Sequence, residues 1–570
     1  MTVAAERVWG ESDRSAMLAV WLPWLLGLAA ALFFVPLAYL DGSAARLQNP
    51  TGDLQQHVVA LRAYLAEGWH WPPLQIENLR WPDGANAIYA DVIPGLALLA
   101  KLLKTLTGWS VDYFGPWIFT SFLLQPVAGA FLLRSFGVRS PLILTAGCLL
   151  IFALPVFLHR VDHPVLQAHW LLLFALGLAV RTARGPDPRR ALAWLAALTA
   201  LLLLVNAYLY ALAATMLLAA TAEALRRRAL GWMAAAAWGA LWLALSAAML
   251  WLLGYFAGSG PGWGYGYYSM NLVSPILPQR SAVLPGFSDW VMTGVAKHEG
   301  DIVDANGFQR YEGYNYLGLG TLLVLLLAVA LGWRRLWAGL RRQPFLALAA
   351  VALGVFALSN EVWLAYGHLT TLPEPPKVLQ QFRSTGRFFW PLAYLLLAGG
   401  IAFLAAARPR AASVLLPLLA VLQLADVRLI AERAEEVLLH GPPSPLPAEA
   451  WRALIAHHGL VRVYPSYECA GYRQRRFMDV VSLAVDAGRP ITVMYLSRFP
   501  PKDCDAELAE RAAQRPSPDE LLVLFDPTKK DPAWPAPSGE LAPTCRRFVA
   551  GLVCTPRWDE LPPEVLAAFP

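Results

Sequence analysis

A chain of 570 residues that is 57% hydrophobic and only 15% charged, with a mean hydropathy of +0.45, is not a soluble globular protein, whose charged share is about a quarter. The net charge of +6 does not mark a nucleic-acid-binding protein either. The arginines cluster in short segments between apolar runs (Arg181, Arg184, Arg189 and Arg190; Arg226, Arg227 and Arg228; Arg334, Arg335, Arg341 and Arg342; Arg408 and Arg410), the pattern that orients a protein in a membrane.

Residues 1–16 read as a cytoplasmic N-terminus. The first apolar run, 17–40, is longer than a signal-peptide core and has no small-residue cleavage pattern after it, so it reads as a retained anchor. Runs of roughly 20 apolar residues then recur through a transmembrane region spanning 17–430. With the arginine segments placed inside, about eleven spans are expected. They lie near 17–40, 110–134, 140–158, 164–182, 191–206, 207–225, 232–256, 314–333, 344–359, 386–405 and 411–429. The N-terminus is then inside and the C-terminus outside. The segment 88–106 is apolar enough to cross, but a crossing there would move the arginine segments outside, so it is expected to be horizontal or re-entrant. This leaves three stretches on the outer face, 41–109, 257–313 and 360–385. The first carries Leu54, Val58, Leu61 and Leu65 at helical spacing, predicting an amphipathic helix on the membrane surface. The second is rich in Gly, Tyr and Trp, as in GPGWGYGYYSMN at 260–271.

Residues 431–447, ending in GPPSPLP, read as a stiff linker into a small extracytoplasmic domain, 448–570. The β-rich runs VRVYP, ITVMYL, LLVLF and RRFVAGLVC surround a helical pattern at 478–487 and predict a compact α/β fold. No phosphate-binding glycine loop occurs in it. Of the five cysteines, Cys148 lies in an apolar run, whereas Cys469, Cys504, Cys545 and Cys554 lie in this domain. An even set there predicts two disulfides of unspecified connectivity and an oxidising compartment, and the spacing is not that of a zinc site.

Span centres carry almost no charge, His169 being the exception, which favours chemistry at the outer face over ion-coupled transport. Asp53 opens the amphipathic helix with Gln56 three residues on, a capping-box arrangement whose plain role is a helix cap. Asp91 can likewise cap the segment containing Pro94, and Asp83 in Pro-Asp-Gly reads as a turn. Both Asp53 and Asp91 are candidate catalytic acids, as is Asp162 in HRVDHPVLQAHW. There, Arg160, Asp162, His163 and His169 gather beside hydrocarbon, either pairing at the interface or facing an outer-leaflet cavity. In the second case Asp53, Asp91 and His163 would hold a divalent cation, Mg2+ or Mn2+. In VLQQFRSTGRFFWP, Arg383 and Arg387 lie one turn apart where a span begins, with Lys377 just before them; they either anchor the helix or grip a lipid phosphate. His57 and His163 complete the candidate substrate ligands.

A first outer loop opening on Gly-Asp, surface helices within it, about a dozen spans and an extracytoplasmic C-terminal domain together resemble the C-superfamily of membrane glycosyltransferases. Within that group, GDLQQH, YADVIP, HRVDHP, YEGYNYLGLG and FRSTGRFFWP look like segments of an uncharacterised bacterial family, a domain of unknown function. The resemblance covers most of 17–430. It implies transfer of a sugar from a polyprenyl-phosphate-type donor to a glycan, lipid or protein acceptor at the periplasmic face of the inner membrane. Asp53 matches the superfamily's first-loop acid, which would serve as general base while Arg or a metal balances charge on the leaving phosphate. The chain has Gly-Asp without a second acid beside it, leaving Asp91 or Asp162 for that position. A lipid or glycan flippase, or a non-catalytic envelope assembly protein, are the competing readings. The scarcity of mid-span charge speaks against the first, and the loop acids would have no task in the second.

Overall fold

Eight helices among the described residues are long and apolar enough to cross a membrane. The computed structural model describes residues 11–256, 264–287, 312–441, 444, 446–470, 477–498, 502–513, 517–526 and 544–569. Residues 1–10 of the N-terminal segment, 257–263 and 288–311 of the second outer stretch, and 442, 443 and 445 of the linker therefore lie outside the described residues. Three of the expected spans are shorter helices: Pro141–Phe152 with 12 residues, Pro344–Phe356 with 13 and Pro188–Leu202 with 15. At a rise of about 1.5 Å per residue they reach about 18–22 Å, short of a hydrocarbon core of about 30 Å. Each begins on a proline in its first turn, where a missing N–H costs nothing. Hydropathy windows extend such runs through flanking apolar turns, which is why the sequence suggests full-length spans.

Contacts divide the chain into two units. The first comprises Met1–Ala44, Phe114–Ala247 and Trp263–Leu439. Its first helix, Glu11–Phe34, ends before Pro36 because the residue preceding a proline is driven out of the helical region. It packs on Phe114–Ser135 through Gly27, where any side chain would meet the Leu123 carbonyl; small residues allow this close approach in membrane bundles. Trp390, Tyr394, Phe122 and Phe157 are fully buried. Acidic residues at the ends of spans terminate neighbouring helices. Asp426 accepts hydrogen bonds from the Leu319 N–H at 2.8 Å and the Tyr316 hydroxyl at 2.9 Å, and also from the Ser281 hydroxyl. It thereby satisfies the orphan end of the Leu319–Arg341 helix. Glu223 does the same for Pro344–Phe356, accepting from the Phe345 N–H at 2.9 Å.

The second unit joins Ala45–Tyr113, Ala248–Gly262 and His440–Pro570, so the first outer stretch folds with the C-terminal region instead of with the spans. Its four-stranded sheet runs Leu460–Tyr464, Glu520–Phe525, Gly551–Cys554, Cys545–Phe548 in space, the first pair parallel and the others antiparallel. ITVMYL contributes a single bridge residue, Ile491, which pairs with both Val461 and Leu79. The Trp81 N–H also donates to the Ile491 carbonyl at 3.0 Å, so the first outer stretch borders the sheet at this point. The cysteines pair as Cys469–Cys504 and Cys545–Cys554.

The expected surface helix, Asp53–Ala66, is instead buried, with Leu54 to Leu61 and Ala63 to Leu65 all enclosed. It packs against Phe477–Asp486, where Gln55 Nε2 donates to Asp479 at 2.9 Å. In this unit the helix Pro94–Thr107, which has 14 residues and is too short to span, exposes an apolar face. Leu99, Leu102, Leu106 and Trp109 are exposed, while its lysines turn inward. Lys101 Nζ donates to the Tyr64 and Gly68 carbonyls at 2.7 and 2.6 Å, and Lys104 Nζ to Leu65 at 2.6 Å. The two cations thus cap the C-terminal carbonyls of Asp53–Ala66, where positive charge is favoured. Burial lowers the Lys101 ammonium to about 8.

Candidate functional site

In the first unit, three of the five family-like segments meet at one carboxylate. Prolines divide HRVDHP from its surroundings: Pro155–Leu158 is a single helical turn and Pro164–Gln167 a 3-10 turn, with Gln167 Nε2 closing the loop on the Phe157 carbonyl at 3.0 Å. This holds Arg160, fully buried, over the Trp390 ring at 5.4 Å. FRSTGRFFWP forms a 3-10 turn, Thr385–Phe389, before the Trp390–Ala407 helix, and Arg387 lies 4.4 Å over the Tyr208 ring. YEGYNY supplies Glu312. Arg160 Nη1 donates to its Oε2 at 3.0 Å, and Arg387 Nε donates to the same oxygen at 2.8 Å. Arg387 Nη2 donates to Oε1, making that pair bidentate.

The backbone around Glu312 is fitted to this geometry. A side chain at Gly386 would collide with the Glu312 carbonyl, so only glycine lets the two segments touch. Asn315 Nδ2 donates to the Gly386 carbonyl at 3.0 Å, and Ser274 Oγ donates to the Gly313 carbonyl at 2.7 Å. Burial alone would raise the Glu312 carboxyl, but Arg160 and then Arg387 hold it well below the usual carboxylate range. Burial, and next Arg160, push the His159 imidazole far below its ordinary value, so it adds no charge. Arg160 and Arg387 thus share the one Glu312 carboxylate.

In the second unit, GDLQQH and YADVIP meet in the same way. Gln56 Nε2 donates to the Tyr89 carbonyl at 3.0 Å. His57, fully buried, sets Nδ1 3.0 Å from the Ala90 carbonyl, which makes that nitrogen the protonated one. Ser497 N–H and Oγ reach the same Tyr89 carbonyl at 2.6 and 2.8 Å. The capping expectations change here. The N-cap is Gly52, with φ 65°, and Asp53 is the first helical residue; Gln56 spends its amide on Tyr89, so there is no capping box. Asp91 ends the Ala87–Ala90 turn in the left-handed region, φ 53°, and the N-cap of the next helix is Ile93 without a side-chain cap. Asp53 and Asp91 are both half-buried.

Of the other candidates, Asp162 is half-buried and His163 buried beside Arg160 in sequence. Arg383 is half-buried and lies 5.6 Å over the Tyr268 ring. Lys377 opens an exposed turn, Lys377–Gln380. Among the described residues no group of three or more His, Cys, Asp or Glu side chains is placed to hold a metal ion, so no step is derived through one. Glu312 escaped sequence reasoning because its partners lie 152 and 75 residues away. The only signal was its place inside one of the resembling segments.

Among curated proteins none matches the chain. A solved oligosaccharyltransferase from Archaeoglobus fulgidus, tethered with an acceptor peptide, is similar at 12% identity and a TM-score of 0.37, over 83% of this chain and 59% of that one. The chain thus spans about three fifths of that protein's length. Residues 450–556 match a family described as the DUF6311 C-terminal domain. Residues 24–428 match the one described as Domain of unknown function (DUF6311), and the chain belongs to that family.

Proposed function

We propose that the protein is a membrane glycosyltransferase that moves a sugar from a polyprenyl-phosphate-type donor to an acceptor at the outer face of a bacterial inner membrane. The observation that carries this reading is the convergence of buried Arg160 and Arg387 on Glu312. It places two guanidinium groups next to the start of a span, at Trp390, where a lipid-borne phosphate needs a counter-charge. The sequence resemblance supplies the reaction class. In this reading the acceptor oxygen bonds to the anomeric carbon as the bond from that carbon to the phosphate oxygen breaks. Asp53 takes the acceptor's proton, and the departing phosphate keeps the electron pair. Arg383, Lys377, His57 and His163 are the remaining donor-binding candidates, and Asp91 and Asp162 the alternative acids. Membranes from cells lacking the protein are expected to accumulate polyprenyl-linked sugar, measured by mass spectrometry of the lipid extract. An unchanged pool would argue for the assembly-protein reading.

The arginine segments and the paired cysteines support an N-terminus inside and a C-terminal domain in the periplasm. Protease added to intact spheroplasts is expected to cut the C-terminal domain. Cleavage only after lysis would reverse the orientation and move the proposed chemistry to the cytoplasmic face.

A further inference from the structure

The first unit contains a cavity of about 610 Å³ that takes no part in the ion-pair network, within the size range of small-molecule sites. Its walls are apolar and run from Leu26 to Phe34 along the first helix, with Cys148 and Phe152 facing them. The eight residue-to-residue steps from Leu26 to Phe34 make this about 12 Å deep, close to the thickness of one hydrocarbon leaflet, about 15 Å. Phe34 and Phe152, at the C-terminal ends of their helices, meet with ring centroids 5.9 Å apart. Polarity is confined to that same end. There the helix Arg428–Leu439 contributes Arg428, Glu432 and Glu435 to the rim. The apolar-to-charged gradient therefore runs along the helix axes, as it does in a lipid standing in its leaflet.

The charges on the rim say which lipid. Arg428 Nε lies 3.0 Å from Glu432, and both side chains are more than half exposed, so the pair can open to a ligand at little cost. One guanidinium and two carboxylates leave a net negative charge, which opposes a headgroup bearing only phosphate. A headgroup with a phosphate for Arg428 and an ammonium for Glu432 and Glu435 matches all three. We propose that this cavity binds one zwitterionic phospholipid with a primary ammonium, of the phosphatidylethanolamine type, as a bound lipid separate from any polyprenyl donor.

The test is native mass spectrometry of the full chain in detergent micelles containing phosphatidylethanolamine and phosphatidylglycerol in equal amounts. The ethanolamine lipid is expected to exceed the glycerol lipid in the bound fraction by about tenfold. Glu432→Gln with Glu435→Gln, which removes both rim carboxylates, is expected to bring the ratio to about one. Ala30→Trp, which fills the cavity, is expected to abolish the bound lipid. Equal or greater binding of phosphatidylglycerol by the unaltered protein would overturn the proposal, as would a ratio unchanged in the double variant. Should Ala30→Trp fail to elute as a folded species, the first two outcomes still decide. Each is read without sugar transfer, so neither depends on the glycosyltransferase reading.

Discussion

Glu312→Gln is expected to leave little folded protein. The carboxylate is the shared partner of two guanidinium groups, one of them fully buried, and glutamine removes the charge while keeping the shape. Breaking a buried ion pair from one side costs about 3–5 kcal/mol, because the remaining charge is left without compensation in a low dielectric. Here one carboxylate serves two guanidinium groups. Thermal unfolding of the detergent-solubilised protein, followed by the fraction that elutes as a single species, is expected to shift down by several degrees at least. Arg160→Met in the same background removes one of the two cations and is expected to restore part of the loss. A Glu312→Gln protein as stable as the parent would mean that the network is not what joins the three segments.

Asp53→Asn is expected to act oppositely, sparing the fold and removing activity. With Gly52 as the N-cap, asparagine at position 53 gains nothing as a cap. The charge it removes from the start of the helix is worth about 0.3–1 kcal/mol. Loss of a general base costs about 10²–10⁴-fold in rate. A folded variant with sugar transfer lowered by that factor fits the base role. Near-normal transfer would shift the role to Asp91 or Asp162.

Hydropathy and the arginine segments made the polytopic architecture legible, because lipid imposes length and composition on every crossing element. They could not separate a full span from a short helix such as Pro141–Phe152, whose flanking turns are equally apolar. Amphipathic spacing located the Asp53–Ala66 helix but assigned its surroundings wrongly. Its polar side chains Gln55, Gln56 and His57 find partners in Asp479 and in the Tyr89 and Ala90 carbonyls, so a helix that looked suited to an interface is enclosed. Pro94–Thr107 is the converse, because Lys101 and Lys104 are consumed as caps and leave leucines outside. The segments singled out by resemblance do converge, two in one unit and three in the other. Their meeting points, such as Glu312 with Arg160, are pairings across long stretches of chain that no local spacing encodes.

Sugar transfer from a polyprenyl-linked donor can be followed with the purified chain in proteoliposomes. Membranes of cells lacking the protein supply the polyprenyl-linked sugar pool, labelled in the sugar, and envelope extract supplies the acceptors. Label is expected to move with time from the lipid fraction to an acceptor, with release of polyprenyl phosphate and near-complete loss of both in the Asp53→Asn protein. Label that crosses the bilayer with its sugar-phosphate bond intact, at equal rates in both proteins, would rule out transfer and identify a transporter instead.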